Sequence, residues 1–263
     1  MRVKIALLEK GIEVQYKEEK DVFEDKNKSE LLLNSNPIHK KVPVLIHNGK
    51  TICESLIILE YIDEVWKQEQ QLFSADPYCR ANARFWIDFF DKKITSCAKK
   101  LWASKGEEQG AAKEEFLEFL KVLENELGEK PYFGGDHFAL LDIALIPITC
   151  RFYTYEKLCK FSVEEECPKL MEWVRRCNMR DSVSKTLPDP LKVFDFVLEV
   201  KKREENSDSE DDFEANCGFN NENVGEEEEA NTVGQIAMEV IHNSVRGPST
   251  SLLENRNARH KAL

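Results

Sequence analysis

The chain is 263 residues long, 41% hydrophobic and 33% charged, with room for one large domain or two modest ones. No run approaches the ~18 uncharged apolar residues of a membrane span, and Lys4 and Glu9 break the apolar start in a way that argues against a secretory signal. The net charge of −12 is uneven: residues 204–230 hold twelve Asp or Glu and no Lys or Arg, so the remainder is balanced and offers no broad basic surface for nucleic acid.

Residues 1–65 read as alternating helix and strand. The first ten positions suit a helix, and Gly11 is a natural stop. Ile12, Val14 and Tyr16 alternate with Glu13 and Gln15, the mark of a strand with one buried face. A short helix is predicted over 28–34 and a strand over 43–47. Asn48-Gly49 signals a hairpin turn, with the return strand over 50–53. Residues 55–66 are helical, carrying Leu56, Ile57, Leu59 and Tyr61 as apolar surface.

Asp76-Pro77 marks a break before a helical region. Phe85 and Phe89, then Trp86, Phe90 and Ile94, recur at helical spacing. Phe116, Leu117, Leu120, Leu123 and Leu127 do the same. Residues 142–155 form an apolar segment that predicts a central helix. Pro168 opens another helix with Leu170, Met171, Trp173 and Val174, and a last one spans about 190–202. From Arg203 the character changes. Residues 206–230 are too acidic and too poor in apolar side chains to offset the ordering of their backbone. Residues 234–245 carry a weak apolar pattern that predicts at most a transient helix, and 249–263 carry none. No internal repeat is visible.

The eight cysteines stand singly, with no C-x-x-C pair. Cys150, Cys159, Cys167 and Cys177 are loosely spaced and have no accompanying histidines, so reduced structural thiols are expected and no metal site.

Three segments carry a family resemblance. One is Asn36-Pro37-Ile38-His39-Lys40-Lys41-Val42-Pro43-Val44-Leu45 with Ile52-Cys53-Glu54-Ser55-Leu56. The second is Phe85-Trp86 and Asp91-Lys92-Lys93, continuing to Lys100-Leu101-Trp102-Ala103-Ser104-Lys105-Gly106. The third is Lys130-Pro131-Tyr132-Phe133-Gly134-Gly135 with Leu141-Asp142-Ile143-Ala144. Over roughly residues 1–203 these resemble the glutathione S-transferase family, plant tau class. The resemblance implies a two-domain fold, α/β followed by all-α. A thioredoxin-like N-terminal domain (residues 1–66) lacking its first strand leads through a linker (67–77) to an all-helical C-terminal domain (78–204). Residues 205–263 are expected to be a disordered acidic tail.

The resemblance also implies roles for individual residues. A cis bond between Val42 and Pro43 turns a backbone amide and carbonyl outward, to pair with the cysteinyl unit of glutathione like an added strand. Read without the family, Val-Pro before a strand is an ordinary strand start. Glu54 and Ser55, opening a helix, suit the γ-glutamyl end of the peptide; on spacing alone they are an ordinary helix start. Lys41 partners the glycyl carboxylate and Lys28 is a second basic contact, although a lone lysine is usually a solvated charge. Trp102, Phe152 and Tyr155, with Phe194 or Phe196 as a closing residue, are expected at the hydrophobic substrate site, where core packing is the alternative. Asp142 is a capping acid whose partner position holds Ala139, leaving the capping box incomplete.

The implied catalytic residue is a serine that stabilises the glutathione thiolate. It is expected upstream of Met1, on a strand lying between those matching residues 12–16 and 43–47, so that Met1 would be an internal position of a longer parent and the activity of the chain as written weak or absent. The expected function is conjugation of glutathione, the cosubstrate, to hydrophobic electrophiles, with no bound cofactor and no metal, in a cytosolic homodimer without a nucleic-acid or membrane partner. A non-catalytic hydrophobic-ligand-binding protein is the alternative, and a thiol reductase ranks third.

Overall fold

The computed structural model describes residues 1–19, 28–67, 71–214 and 240–243, with the backbone alone for 203–214 and 240–243. The expectations for residues 215–239 and 244–263, and for Cys217, lie outside the described residues.

Helix α1 (Arg2–Glu9) buries Val3, Ile5, Ala6 and Leu7. It stops where Gly11 takes φ +62°, letting the Ile12 N–H reach back to the Leu7 carbonyl at 2.9 Å. Strand β1 (Gln15–Lys17) follows, then α2 (Glu30–Ser35), whose first turn is capped by Ser29 Oγ accepting from the Leu32 N–H at 3.2 Å. Strands β2 (Val44–His47) and β3 (Lys50–Cys53) form an antiparallel hairpin, turned by Asn48 and Gly49 at φ +51° and +75°. Positive φ at both central positions suits the right-handed twist of a two-residue hairpin. Alternation along β2 divides its side chains: Leu45 enters the main core, whereas Val44 and Ile46 join Leu32 of α2 on the other face. Helix α3 (Ser55–Val65) then buries Ile58, Leu59 and Ile62.

Helix α4 (Pro77–Phe89) starts with Asp76 Oδ1 accepting from the Tyr78 N–H at 3.0 Å. A π-helical turn (Phe90–Ile94) joins it to α5 (Thr95–Ala103), and α6 (Gly106–Leu127) buries the predicted series Phe116, Leu117, Leu120, Leu123 and Leu127. The single helix expected over 142–155 is two helices. After α7 (Leu140–Leu145), residues Ile146–Arg151 tighten into a 3-10 stretch before α8 (Phe152–Cys159). Pro147 is the reason: it has no N–H to give the Ile143 carbonyl, and its ring crowds that turn. Helices α9 (Val163–Glu166), α10 (Pro168–Asn178), α11 (Asp181–Ser184) and α12 (Pro190–Glu214) complete the domain.

The expected tail differs in two places. Helix α12 runs on to Glu214, past the boundary drawn at 204, because Lys201, Lys202, Arg203, Glu204 and Glu205 continue it with good helix formers. Further on, Val240–Asn243 is a strand, β4, where a transient helix was expected at most. It lies between β1 and β2, giving a four-stranded sheet of order β1-β4-β2-β3. It runs antiparallel to β1, with Tyr16 opposite Ile241, and parallel to β2, with Leu45 opposite Ile241. The place that the resemblance gives to a strand ahead of Met1 is thus filled from the other end of the chain. Two β-branched residues, Val240 and Ile241, favour this extended state.

One continuous core unites both domains, from Val3, Ile5 and Leu7 of α1 through Ile58 and Ile62 of α3 to Phe116, Ile143 and Trp173. Asp142 is wholly buried at its centre. Its carboxylate accepts from the N–H groups of Phe133 (2.8 Å), Gly134 (3.2 Å) and Ala139 (3.0 Å), and from the Trp173 indole at 2.8 Å. Ala139 has no side-chain acceptor to return the bond, so the box is half-formed, and two other segments supply the remaining donors. Gly134 has to be glycine: a Cβ there would stand 2.4 Å from that of Ala139.

Candidate functional site

The β2–β3 hairpin builds one mouth. Because Val44 pairs with Cys53, the register carries Val42 and Pro43 to the same end of the hairpin as Glu54 and Ser55. The Val42–Pro43 bond is cis. Glu54 is exposed and takes φ +69°, a backbone state sparsely populated by residues other than glycine and one that recurs at functional sites. From this turn α3 departs. Its first N–H groups have no partner within the helix and carry the positive end of its dipole toward the mouth, a setting for a carboxylate.

The loop ahead of β2 is held by Asn36. This side chain is 3% exposed; its Nδ2 donates to the Lys41 carbonyl at 2.9 Å and its Oδ1 accepts from the His39 N–H at 3.1 Å. It fixes the backbone that presents Lys41, exposed, and Val42, half-buried. His39 Nε2 stands 4.0 Å from Glu54 Oε1, both well exposed. Lys28 is half-buried one residue before the α2 cap.

Sequence reasoning passed over two further residues. Arg2 Nη1 donates to Ser55 Oγ at 3.4 Å, while Nη1 and Nη2 grip the Asp91 carboxylate at 3.1 and 2.5 Å, and Nε donates to the Ala144 carbonyl at 2.8 Å. One guanidinium therefore ties the start of α3 to the helical domain with a planar, bidentate grip. Asp91 comes from the π-helical turn, an irregularity that often marks functional positions. The signal was present: a cation in the first turn of α1 faces the wrong end of the helix dipole and calls for an anionic partner.

Among the residues expected to hold a hydrophobic substrate, Trp102, Phe194 and Phe196 are half-exposed; the Trp102 carbonyl accepts from Lys201 Nζ of α12 at 2.8 Å. Phe152 and Tyr155 are 5% and 3% exposed and stack edge-on against Phe116 in the core. Burial pushes the Tyr155 hydroxyl pKa up. The residue between them on the other face of α8, Tyr153, is half-buried and packs edge-on against Phe194 of α12, ring centroids 5.6 Å apart. An offset of one position, set by where α8 begins after Pro147, moves the surface aromatic from 152 to 153. Among the described residues no three metal-ligating side chains converge, and burial pushes the Cys97 and Cys167 thiols up to about 12.

Comparison with known proteins shows the family. The family model for the N-terminal domain of glutathione S-transferases matches residues 1–64, and that for the C-terminal domain matches 84–181. Glutathione S-transferase U19 of Arabidopsis thaliana is 56% identical over 203 residues, covering 77% of this chain and 91% of that protein. The crystal structure of rice GST1 (OsGSTU1) in complex with glutathione superposes with a TM-score of 0.73 at 46% identity, covering 77% of this chain and 91% of the rice chain. The tau-class enzyme MiGSTU of mango, Mangifera indica, superposes with a TM-score of 0.69 at 37% identity, over 74% of this chain and 90% of the mango chain.

Proposed function

Because this chain belongs to the glutathione S-transferase family, in the plant tau class, we propose that it binds reduced glutathione at the mouth between Val42 and Ser55 and joins it through its sulfur to a hydrophobic electrophile. In this reading the γ-glutamyl carboxylate sits on the N-terminus of α3, against the Ser55 hydroxyl, and Glu54 meets the ammonium. The Val42 backbone pairs with the cysteinyl unit, and Lys41, with Lys28 as a second cation, faces the glycyl carboxylate. Arg2 is a positioning residue that holds Ser55 and adds positive charge behind the carboxylate. The thiol proton leaves to solvent, the sulfur forms a bond to the electrophilic carbon, and the leaving group departs with its electron pair. Rate then rests on orientation and on keeping the sulfur as thiolate. The observation that carries the reading is the turn at Glu54: a positive-φ residue that opens the first N–H groups of α3 beside a cis Val42–Pro43 bond.

The acceptor wall is assigned to Trp102, Tyr153 and Phe194, which half-bury their rings where α5, α8 and α12 meet, with Phe152 and Tyr155 behind them in the core. The reading includes a cytosolic homodimer. Support for self-association comes from Ile57 of α3 with Tyr78 and Phe85 of α4, which are 58%, 76% and 60% exposed around the bidentate pair of Arg84 with Glu60.

Calorimetric titration of the full chain with glutathione is expected to give one site per chain. Ser55→Ala, which removes one hydroxyl, is expected to weaken it by about tenfold. Absence of any binding by the wild-type chain would sink the proposal, and a chloronitroaromatic acceptor added with glutathione reads the transfer step.

A further inference from the structure

We infer that the strand Val240–Asn243, almost two hundred residues from the mouth in sequence, sets the glutathione affinity of this chain by holding β2 in place. Among the described elements β1 has one ladder partner, β4, and β2 has two, β4 and β3. Without β4 the sheet reduces to a hairpin of two four-residue strands and a detached three-residue strand. A lone two-stranded hairpin is at best marginally stable in water, whereas three or more strands packed on an apolar face hold.

The backbone of β2 makes the dependence sharper. Val44 and Leu45 are fully buried and Ile46 and His47 nearly so, with polar main-chain groups that need partners on both edges. The β3 side satisfies one edge. Residues 240–243 satisfy the other, in parallel register with 44–47. Val42 and Pro43 continue directly into β2, so the direction in which the Val42 amide points is fixed by the edge that β4 occupies. The same strand pins β1 in register with it, Tyr16 opposite Ile241. The occupant is this chain's own segment.

This inference rests on the proposed glutathione site for its consequence and on the sheet alone for its cause, and the test separates the two. In the full chain, Ile241→Pro removes a donor from a strand paired on both sides. Amide exchange at 15–17 and 44–47 is expected to speed by at least about tenfold while that of α6 and α10 holds, and glutathione affinity to fall by a similar factor. Unchanged exchange at 44–47 overturns the inference, even if the wild-type chain binds glutathione well. If the wild-type chain binds none, the exchange result still decides the role of the strand. Should Ile241→Pro fail to fold, a second variant decides: Tyr16→Cys with Ile241→Cys, oxidised, is expected to give a crosslink within one chain, mapped by mass spectrometry. A crosslink only between two chains, or none, overturns it.

Discussion

The helical domain and the sheet region obtain their backbone hydrogen bonds from opposite distances along the chain. Along α6 and α10 the ladder partners lie four residues away, and only the first turn of α10 reaches further, the Lys169 and Leu170 N–H groups donating to Glu124 of α6 at 2.8 and 3.1 Å. In the sheet, β1 and β2 meet through a strand drawn from residues 240–243, so a contact of long sequence separation has to form before either is satisfied. The helical side is therefore robust to what happens elsewhere, while the region that builds the mouth depends on distant segments. Helix α1 bridges the two. Arg2 grips Asp91, Glu9 pairs with Arg180 at 2.5 Å, and the buried Lys10 ammonium lies 2.8 Å from Asp63, whose carboxylate also accepts from the N–H groups of Leu72 and Phe73.

The largest expected effect falls on the helical side. Asp142→Ala leaves four donors unpartnered, those of Phe133 and Trp173 fully buried, and is expected to cost about 3–5 kcal/mol in urea unfolding, taking the mouth with it because the core is shared. If the mouth survives that loss, the two regions are more independent than the common core implies. Next, Arg2→Ala cuts the tie between them. Glutathione affinity is expected to drop by about ten- to a hundredfold, since bonds to a charged group are lost, with a smaller fall in stability. Equal losses in both would make Arg2 a purely structural residue. Phe85→Glu probes whether α3 and α4 act as one face: sedimentation should show a dimer dissociation constant raised by about tenfold or more. The mildest test leaves the fold intact. At pH 8 the exposed Cys79 should alkylate readily, whereas Cys97 and Cys167, with pKa values near 12, hold only about one thiolate in ten thousand. Fast labelling of Cys97 would show the helical core opening more than its packing allows.

Elements with a strong local signature are legible in the sequence. The series from Phe116 to Leu127 reads as a helix because each apolar residue recurs on one face, and Asn48-Gly49 reads as a turn because few other pairs take positive φ twice. Pro147 divides α7 from α8, but the apolar run around it masks the break. Strand β4 leaves almost no local mark: four residues with two β-branched side chains have no periodicity to detect, and what makes them a strand is an edge offered by residues 15–17 and 44–47. At the mouth, Val42, Glu54 and Ser55 are named by the family resemblance, because spacing alone reads them as an ordinary strand start and helix start. For Arg2 the sequence signals only that a cation in the first helical turn calls for an anion; that the anion is Asp91 becomes visible once α1 packs against the π-helical turn. Tyr153 escaped for a smaller reason, the phase of a short helix.

The most direct measurement is a crystal structure of the full chain grown with reduced glutathione. The γ-glutamyl carboxylate is expected within hydrogen-bond reach of the Ser55 N–H and hydroxyl, and the cysteinyl backbone paired with Val42. Glutathione bound elsewhere, with the N-terminus of α3 facing only solvent, would contradict that placement.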